Sequence, residues 1–416
     1  MLPHLQVVFR KANPRWIYAL LLASWLIFCY IKALKGGDFD VYLDAANKLM
    51  EGKNIYAPPF AKGLQYYYSV AFALVLSLFL SIPVIGKFLW LVFSTWCIYR
   101  SWCIMQFFVE AKGQLTKQHY LIWKIIIIVI SARFILYNFL AVQLTLFLLW
   151  AALEAVYQSY KGRQFYGGLI LGIAINIKLL PLVILPYLLF RSYYVAFFST
   201  IFMVLLLLFA PALWIGTQEN YFLLTEWGHI INPISPDNSL KGNKLMHSLA
   251  AVIPAYFMES IDGFSGKRQI FDFSPETVKT LIQIIRACLI LLTLYFLRWW
   301  PFCKAQSKSY IWWELSYILL IVPLIFPHQQ KYSFWFMMPC ICYLTFQFFR
   351  KDNSFSYYAK VIFILLLLLI SPVIGRDVLG DHLYDLFQFY KILSLVAFSF
   401  IFFLVGYPPP KANAEE

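Results

Sequence analysis

Two aspartates stand close together after the first apolar segment of the chain. Asp38 and Asp40 occupy a stretch that could form a short amphipathic helix over roughly 39–51, with Asp38 as its N-cap and Gly52 as its C-terminal stop. A carboxylate held near apolar surface, which raises its basicity, could deprotonate a hydroxyl group. The alternative is that Asp38 only caps the helix and that Asp40 faces water.

Lys178 is a second candidate because it lies far inside an apolar run that ends at Pro181. A lysine in such a position is costly, so by default it indicates a function or a partner. Pro181 would free backbone groups nearby, and these need a polar cavity. The alternative is a lysine that reaches an interface from a helix ending near Pro181.

Two further polar clusters lie between apolar segments. In the first, Asn238 and Ser239 could cap a helix on which Lys241 and Lys244 share one face. A helix N-terminus with two ammonium groups suits a phosphate, although a solvated basic loop is the other interpretation of such a pair.

The second cluster is the densest polar group in the C-terminal half. It contains His328, Gln329, Lys331 and Tyr332 between two apolar segments. A lone histidine at an interface is usually structural. Here its polar neighbours support a functional role as strongly as a structural one.

The composition determines what kind of element can position these residues. Of 416 residues, 62% are hydrophobic, 20% aromatic and only 13% charged. No water-soluble fold has enough interior for that much apolar surface. We therefore predict one all-α integral membrane domain over 1–416, which excludes soluble enzymes, disordered chains and disulfide scaffolds. The net charge of +14 then indicates anionic lipid as the nearer partner, with no need for nucleic acid.

About twelve apolar stretches are long enough to cross a bilayer, which needs about 20 residues. The stretch 165–190 contains two prolines and is expected to be kinked or broken. The predicted spans are 16–34, 66–84, 87–109, 120–136, 138–157, 165–190, 193–214, 277–298, 309–326, 332–349, 357–372 and 386–406.

Basic residues in the loops predict the orientation of these spans. With the N-terminus inside, the basic loops around 298–308 and 350–360 also lie inside. Two long loops, 35–65 and 215–276, then both lie outside, where a site would be built. Two short basic loops, around 112–117 and 161–163, fall outside as well and contradict the trend.

Several familiar catalytic motifs are absent from the sequence. It contains no P-loop, no GxGxxG, no HExxH and no GxSxG. Asp38 and Asp40 resemble the DxD pair that holds a metal in soluble nucleotide-sugar transferases. No further carboxylates cluster beside them in sequence, so no metal site is predicted.

The chain resembles the GT-C superfamily of integral membrane glycosyltransferases. More narrowly it resembles glycosyltransferase family 87, whose known members are mannosyltransferases that use polyprenyl-phosphate mannose. The sequence departs from the family pattern at the head of the second span, where Tyr66-Tyr67-Tyr68 replaces Tyr-Pro-Pro. The stretches that carry the resemblance follow the family order and are Asp38 to Tyr42, Gly52 to Tyr56, Asn138 to Gln143, Gly168 to Pro186, Asn238 to Leu240 and the cluster at His328.

This resemblance implies a GT-C-like bundle and an inverting sugar transfer on the outer face. The donor would be a polyprenyl-phosphate sugar, carrying mannose or a similar hexose, and the acceptor a glycolipid or a glycan. Cations would neutralise the charge on the leaving phosphate, so neither a metal nor another cofactor is expected. The protein would be a multi-pass component of the bacterial inner membrane.

The resemblance also implies roles for individual residues. Asp38 corresponds to the family's catalytic aspartate, with Asp40 as the second choice, and His328 falls where the family places an active-site histidine. The candidates for binding the donor phosphate are Lys178, Lys241, Lys244 and Lys331. The candidates for binding substrate are Tyr42, Tyr56, Asn138, Gln143, Asn238, Gln329 and Tyr332.

Two other functions fit part of this pattern. A transporter or flippase of lipid-linked sugars could use the same basic residues to escort a phosphate. Transporters often contain two related halves with polar breaks at matching positions, and here only the first half carries a broken helix. A scaffold subunit with a decayed transferase fold is disfavoured because both Asp38 and His328 are present.

Overall fold

The computed structural model describes residues 14–232, 240, 245–259, 268–298, 301–305, 307–350, 352 and 355–410. Its regular structure over these residues is helical, apart from one isolated antiparallel bridge, and this confirms the all-α prediction. The α-helices are α1 (Pro14–Ala33), α2 (Phe39–Met50), α3 (Val70–Leu76), α4 (Pro83–Val109), α5 (Ala111–Gln114), α6 (Lys117–Ala141), α7 (Thr145–Tyr160), α8 (Gln164–Ile177), α9 (Ile184–Phe190), α10 (Tyr194–Phe209), α11 (Ala212–Ile215), α12 (Thr217–Ile231), α13 (Leu249–Phe257), α14 (Pro275–Phe296), α15 (Lys308–Ile325), α16 (Met338–Phe349), α17 (Tyr357–Ile370), α18 (Arg376–Phe389) and α19 (Ile392–Gly406).

Several of these helices are long and apolar enough to cross a membrane. Among the described residues they are α4, α6, α10 with α11, α14 and α15, and the pair α18–α19, bent by 57°, adds a sixth. Other predicted spans form shorter apolar helices of 10–17 residues, including α8 and α17. The multi-pass membrane character is therefore confirmed, while the figure of about twelve spans stays a prediction.

The second predicted span, 66–84, does not cross the bundle. Its helical part covers only Val70–Phe79, about 15 Å at about 1.5 Å per residue, which is half the thickness of a hydrocarbon core. Tyr68, before this segment, and Lys87, after it, both contact side chains of α2. The chain thus enters and leaves the segment at the same end of the molecule.

Because that crossing is absent, the short basic loops that follow lie at the opposite end of the bundle from the one predicted. Lys308 forms an ion pair with Glu110, and the ammonium groups of Lys161 and Lys308 lie 4.4 and 4.6 Å from the centroid of the Phe107 ring. The prediction that the loops around 112–117 and 161–163 lie opposite the 298–308 cluster is therefore wrong. We call the end that contains Glu110, Lys161 and Lys308 the basic end.

The expected break in the stretch 165–190 is confirmed, and it separates two helices. α8 ends before Lys178, whose backbone is extended (φ −153°, ψ 132°), and Pro181 lacks the N–H that a continuing helix needs. α9 then returns to the basic end, where the Phe190 carbonyl accepts a hydrogen bond of 2.9 Å from the Phe302 N–H. Lys178 consequently lies at the tip of a helical hairpin, at the other end of the bundle.

Close packing and a buried ion pair hold this hairpin in place. A Cβ atom at Gly172 would lie 2.9 Å from the carbonyl oxygen of Thr200 on α10, so the two helices approach each other closely at the backbone. At the end of α9, Arg191 and Glu314 of α15 are both fully buried and bonded to each other. The Tyr187 hydroxyl donates a further bond of 2.9 Å to the same carboxylate.

Candidate active site

A cavity of about 630 Å³ lies at the end of the bundle opposite the basic end. It is built by the start of α2, the segment before α3, the tip of the α8–α9 hairpin, the last turns of α12 and the segment after α15. Predicted site residues from three separate parts of the sequence meet in its lining, and they are Asp38, Tyr42, Lys178, His328, Gln329 and Tyr332.

Asp38 lies at the N-terminus of α2, but its side chain does not cap the helix. The residue has helical dihedral angles and makes no side-chain capping bond, so the capping interpretation is wrong. Its backbone N–H donates to the carbonyl of Ala141 at 2.9 Å, and its carboxylate accepts a hydrogen bond from Gln143. The turn after α6 therefore fixes both the main chain and the carboxylate of Asp38.

Gln143 connects the Asp38 carboxylate to a pair of buried tyrosines. Its amide nitrogen donates to Asp38, and its amide oxygen accepts a bond of 3.4 Å from the Tyr42 hydroxyl. The hydroxyl groups of Tyr42 and Tyr68 lie 3.0 Å apart. Gln143 is only 2% exposed and is not part of the lining, so it contacts the cavity residues Asp38 and Tyr42 from behind.

The environments of the two aspartates shift their pKa values in opposite directions. Burial raises the pKa of the Asp38 carboxyl, and the positive charges of Lys178 and Lys62 oppose this only in part. Burial also acts on Asp40, but its bonds to Lys62 and Lys87 outweigh that effect and lower its pKa. A base that accepts a proton needs the first environment, whereas a structural ion pair has the second.

Asp40 is engaged by two lysines and does not simply face water. One carboxylate oxygen lies 2.6 Å from the ammonium of Lys62, and the other is paired with Lys87. In the described part of the chain no three His, Cys, Asp or Glu side chains come together in a way that could hold a metal ion. The absence of a metal requirement stays a prediction.

Lys178 supplies a positive charge next to Asp38. Its ammonium group lies 5.3 Å from the centroid of the Tyr68 ring, over the ring face, and its charge favours the ionised form of Asp38. The lysine is half-buried and lines the cavity. The prediction of a polar cavity at the proline break therefore agrees with its position.

His328 also lines the cavity and has a strained backbone conformation. Its φ angle is +58°, a left-handed value that costs a non-glycine residue about 1 kcal/mol or more and that is concentrated at functional sites. The imidazole ring packs against Tyr67, with 4.7 Å between ring centroids. The neighbouring Gln329 is buried, and its carbonyl accepts a bond of 2.7 Å from the N–H of His247.

Three predicted site residues lie behind the cavity wall. The Tyr56 hydroxyl donates to the carbonyl of Tyr68 at 2.8 Å, and the Asn138 amide donates to the carbonyl of Tyr332 at 3.2 Å. Lys331 is bonded to the hydroxyl of Tyr384, outside the lining. Asn238, Lys241 and Lys244 lie outside the described residues, so their roles stay predictions.

The sequence did not single out several residues that line the cavity. Tyr67 and Tyr68 were noted only as a departure from a family pattern, although three consecutive tyrosines at the start of an apolar segment could have indicated a site. Trp227 of α12 also lines the cavity, and its indole N–H donates to the Tyr67 carbonyl at 3.3 Å. The sequence feature that could have indicated Trp227 is its spacing from Asn220 and Leu223, which places the three residues on one face of α12 within the second long loop.

Comparison with known proteins identifies the family of this chain. A family model for glycosyltransferase family 87 matches residues 66–327, which is more than half of the sequence. The matched range contains Gln143 and Lys178, whereas Asp38 and His328 lie beyond its two ends. No curated protein and no solved structure matches the chain. The chain belongs to glycosyltransferase family 87, a family of GT-C membrane glycosyltransferases.

Proposed function

We propose that the protein transfers mannose or a similar hexose from a polyprenyl-phosphate donor to a glycolipid or glycan acceptor, with inversion at the anomeric carbon. Family membership supports sugar transfer, and the cavity supports the assignment of residues. The observation that carries the assignment is the carboxylate of Asp38, which lines this cavity beside Lys178 and has a raised pKa.

In the proposed reaction the acceptor hydroxyl attacks the anomeric carbon from the face opposite the phosphate. Its proton passes to the Asp38 carboxylate as the new C–O bond forms. The bond between the anomeric carbon and the phosphate oxygen breaks, and its electron pair stays on the polyprenyl phosphate. Burial supports the role of Asp38, because the raised pKa brings its basicity closer to that required near neutral pH.

Lys178 is the proposed partner of the leaving phosphate. Its ammonium group is held at the tip of the hairpin and would stabilise the charge that develops on the phosphate. Lys241 and Lys244 are further candidates from the sequence. His328, whose ring packs against Tyr67 in the lining, would contact the donor or the acceptor.

Gln143 is a positioning residue in this proposal. Because its amide binds both the Asp38 carboxylate and the Tyr42 hydroxyl, it orients one carboxylate oxygen towards the cavity. This positioning role takes the place of the direct substrate contact that the sequence predicted for Gln143. Tyr42 and Tyr68 complete the buried network that keeps the glutamine in one orientation.

The remaining walls of the cavity suit a lipid-linked donor. Aromatic and aliphatic side chains form the side contributed by the hairpin tip, by α12 and by the segment after it, as in other sites for apolar ligands. These residues are Leu179, Leu180, Trp227, Ile230, Ile231 and Met246. A polyprenyl chain would lie along this surface while its phosphate approaches Lys178.

The distribution of basic loops supports an outward-facing site. If the basic end is cytoplasmic, the short loops around 112–117, 161–163 and 298–308 all follow the positive-inside rule. The cavity then opens at the outer face of what we propose to be the bacterial inner membrane. The whole chain, 1–416, would be one GT-C-like domain in which the predicted spans other than 66–84 cross the membrane, with α2 and the long loops 35–65 and 215–276 on the outside.

The proposal is tested with purified protein in lipid and a set of polyprenyl-phosphate sugars. We expect release of free polyprenyl phosphate with at least one donor when an acceptor glycolipid is present. If no donor is turned over but lipid-linked sugar moves between leaflets, the protein is a flippase. Neither turnover nor movement would indicate a scaffold.

A further inference from the structure

A second, smaller cavity of about 120 Å³ lies at the basic end, on the opposite side of the bundle from Asp38. It opens between the end of α4 and the neighbouring ends of α15 and α16. Trp312, Tyr343, Gln347 and Arg350 contribute polar groups to its lining. None of these residues takes part in the proposed transfer reaction.

One hydrogen-bond donor among the lining residues lacks an acceptor, and another is only weakly paired. Trp312 is fully buried, and its indole N–H has no hydrogen-bond partner among the described residues. The Arg350 guanidinium donates to Gln347 at 3.2 Å, while the one carboxylate within 4 Å of it among the described residues, that of Asp352, is 3.6 Å away and belongs to a side chain that is 86% exposed. An ion pair this long, with one partner so exposed, contributes little to the stability of the protein.

Two acceptors in the lining, on Gln347 and Tyr343, are already used. The amide oxygen of Gln347 accepts from Arg350, and the Tyr343 hydroxyl accepts from the Gln347 amide at 2.8 Å. The same hydroxyl donates to the carbonyl of Tyr407 at 2.8 Å. A molecule that fills the cavity must therefore bring acceptors and, next to Arg350, negative charge.

The size and the position of the cavity narrow the class of ligand. A volume of about 120 Å³ equals about four water molecules at roughly 30 Å³ each, which is enough for one phosphate group but not for a sugar ring. The helix ends place it where phospholipid headgroups lie, and basic pockets between helices bind such headgroups. A guanidinium also matches the geometry of phosphate oxygens.

We propose that this second cavity binds a single phosphate group, supplied either by the headgroup of an anionic phospholipid or by free phosphate. The Arg350 guanidinium pairs with the phosphate oxygens, and the indole N–H of Trp312 donates to one of them. This proposal does not depend on the proposed transfer reaction, because it concerns the other end of the bundle.

The test measures the thermal unfolding midpoint of the full-length protein in detergent. Short-chain phosphatidylglycerol is titrated against diacylglycerol of the same chain length, and inorganic phosphate against chloride of equal ionic strength. A rise with phosphatidylglycerol alone identifies the lipid headgroup, and an equal rise with inorganic phosphate identifies free phosphate. If neither ligand raises the midpoint above its control, the proposal is wrong.

Two adjacent tryptophans provide matched variants for this test. Trp312→Phe removes the N–H without a partner and leaves a small void beside Phe108, so the affinity for the phosphate ligand should fall roughly tenfold while the void slightly lowers the unfolding midpoint of the free protein. Trp313→Phe removes an N–H that donates to the Leu404 carbonyl at 2.8 Å, so it should lower the midpoint and leave affinity unchanged. Arg350→Gln should abolish binding, and unchanged affinity in Trp312→Phe and Arg350→Gln would refute the site.

Discussion

At the scale of single residues, two aspartates separated by one position have different tasks. Asp38 faces the cavity and is bonded to an uncharged amide, so burial dominates its pKa. Asp40 is bonded to two ammonium groups that lower its pKa and tie α2 to its neighbours. A carboxylate already neutralised by two lysines is a poor proton acceptor, and this favours Asp38 as the base.

The ionisation of Asp38 predicts a pH dependence. The base must be ionised, so kcat/KM should fall as the pH drops through its pKa, which burial places above the ordinary value of about 3.9. Lys178→Met removes a charge that favours the ionised form, so the acid limb should move to higher pH. Lys53→Met, on the exposed surface, is the control. If the acid limb of the kcat/KM profile stays at the same pH or moves to lower pH in Lys178→Met, Asp38 is not the base.

Gln143→Leu tests whether this residue positions the base or binds substrate. Loss of the bond to Asp38 should lower kcat roughly 10- to 100-fold and leave KM nearly unchanged, because the reacting groups lose their alignment. Tyr56→Phe, which removes a hydroxyl bonded to the main chain behind the site, should have little effect on kcat. An increase in KM with an unchanged kcat would instead support substrate binding by Gln143.

Part of the site could be predicted from residue types alone. Asp38 was expected as a carboxylate at the start of an amphipathic helix, Lys178 as a lysine inside an apolar run and His328 as a histidine in a polar cluster, and the structure places all three in one cavity. Lys331 has the same appearance in sequence. Its bond to Tyr384, more than 50 positions away, depends on tertiary packing that no local pattern contains.

At the scale of elements, the hairpin formed by α8 and α9 determines where the cation lies. The prolines predicted the break but not the direction of the second helix. That direction depends on the buried pair of Arg191 and Glu314, which links the end of α9 to α15. The pair was not predicted, because Arg191 and Glu314 are more than 100 positions apart in the sequence.

Breaking this pair should destabilise the protein more than removing it entirely. Glu314→Leu leaves a buried guanidinium uncompensated and should reduce the free energy of unfolding by about 3–5 kcal/mol. The double variant Arg191→Met/Glu314→Leu should recover much of that loss. Thermal unfolding in detergent measures these two variants and the single variant Arg191→Met. If the loss in the double variant equals the sum of the losses in the two single variants, the pair is not coupled.

In the whole molecule, one short segment determines at which end of the bundle the basic loops lie. Because Val70–Phe79 does not cross, the loops around 112–117 and 161–163 lie at the opposite end from the one predicted. Hydropathy located most of the helices because it reports burial in lipid, but it does not distinguish a segment that crosses from one that returns. The contacts of Tyr68 and Lys87 with α2 show that Val70–Phe79 returns. The loops around 112–117 and 161–163 then join the other basic loops at one end.

This arrangement predicts which loops an impermeant thiol reagent can reach. In a variant without native cysteines, Lys53→Cys near the cavity end should be labelled in intact cells. Arg163→Cys at the basic end should be labelled only after the membrane is permeabilised, because the positive-inside rule places that end in the cytoplasm. Labelling of both positions in intact cells would restore the arrangement expected from sequence.

The role of Asp38 as the base is tested by comparing Asp38→Asn with Asp40→Asn in the polyprenyl-phosphate release assay, each checked by thermal unfolding. Asp38→Asn should keep the fold and lower kcat by a factor on the order of 10³, since the loss of a general base typically costs 10²- to 10⁴-fold. Asp40→Asn should mainly lower the unfolding midpoint, because Lys62 and Lys87 lose their partner. Turnover close to wild type in Asp38→Asn would contradict the account.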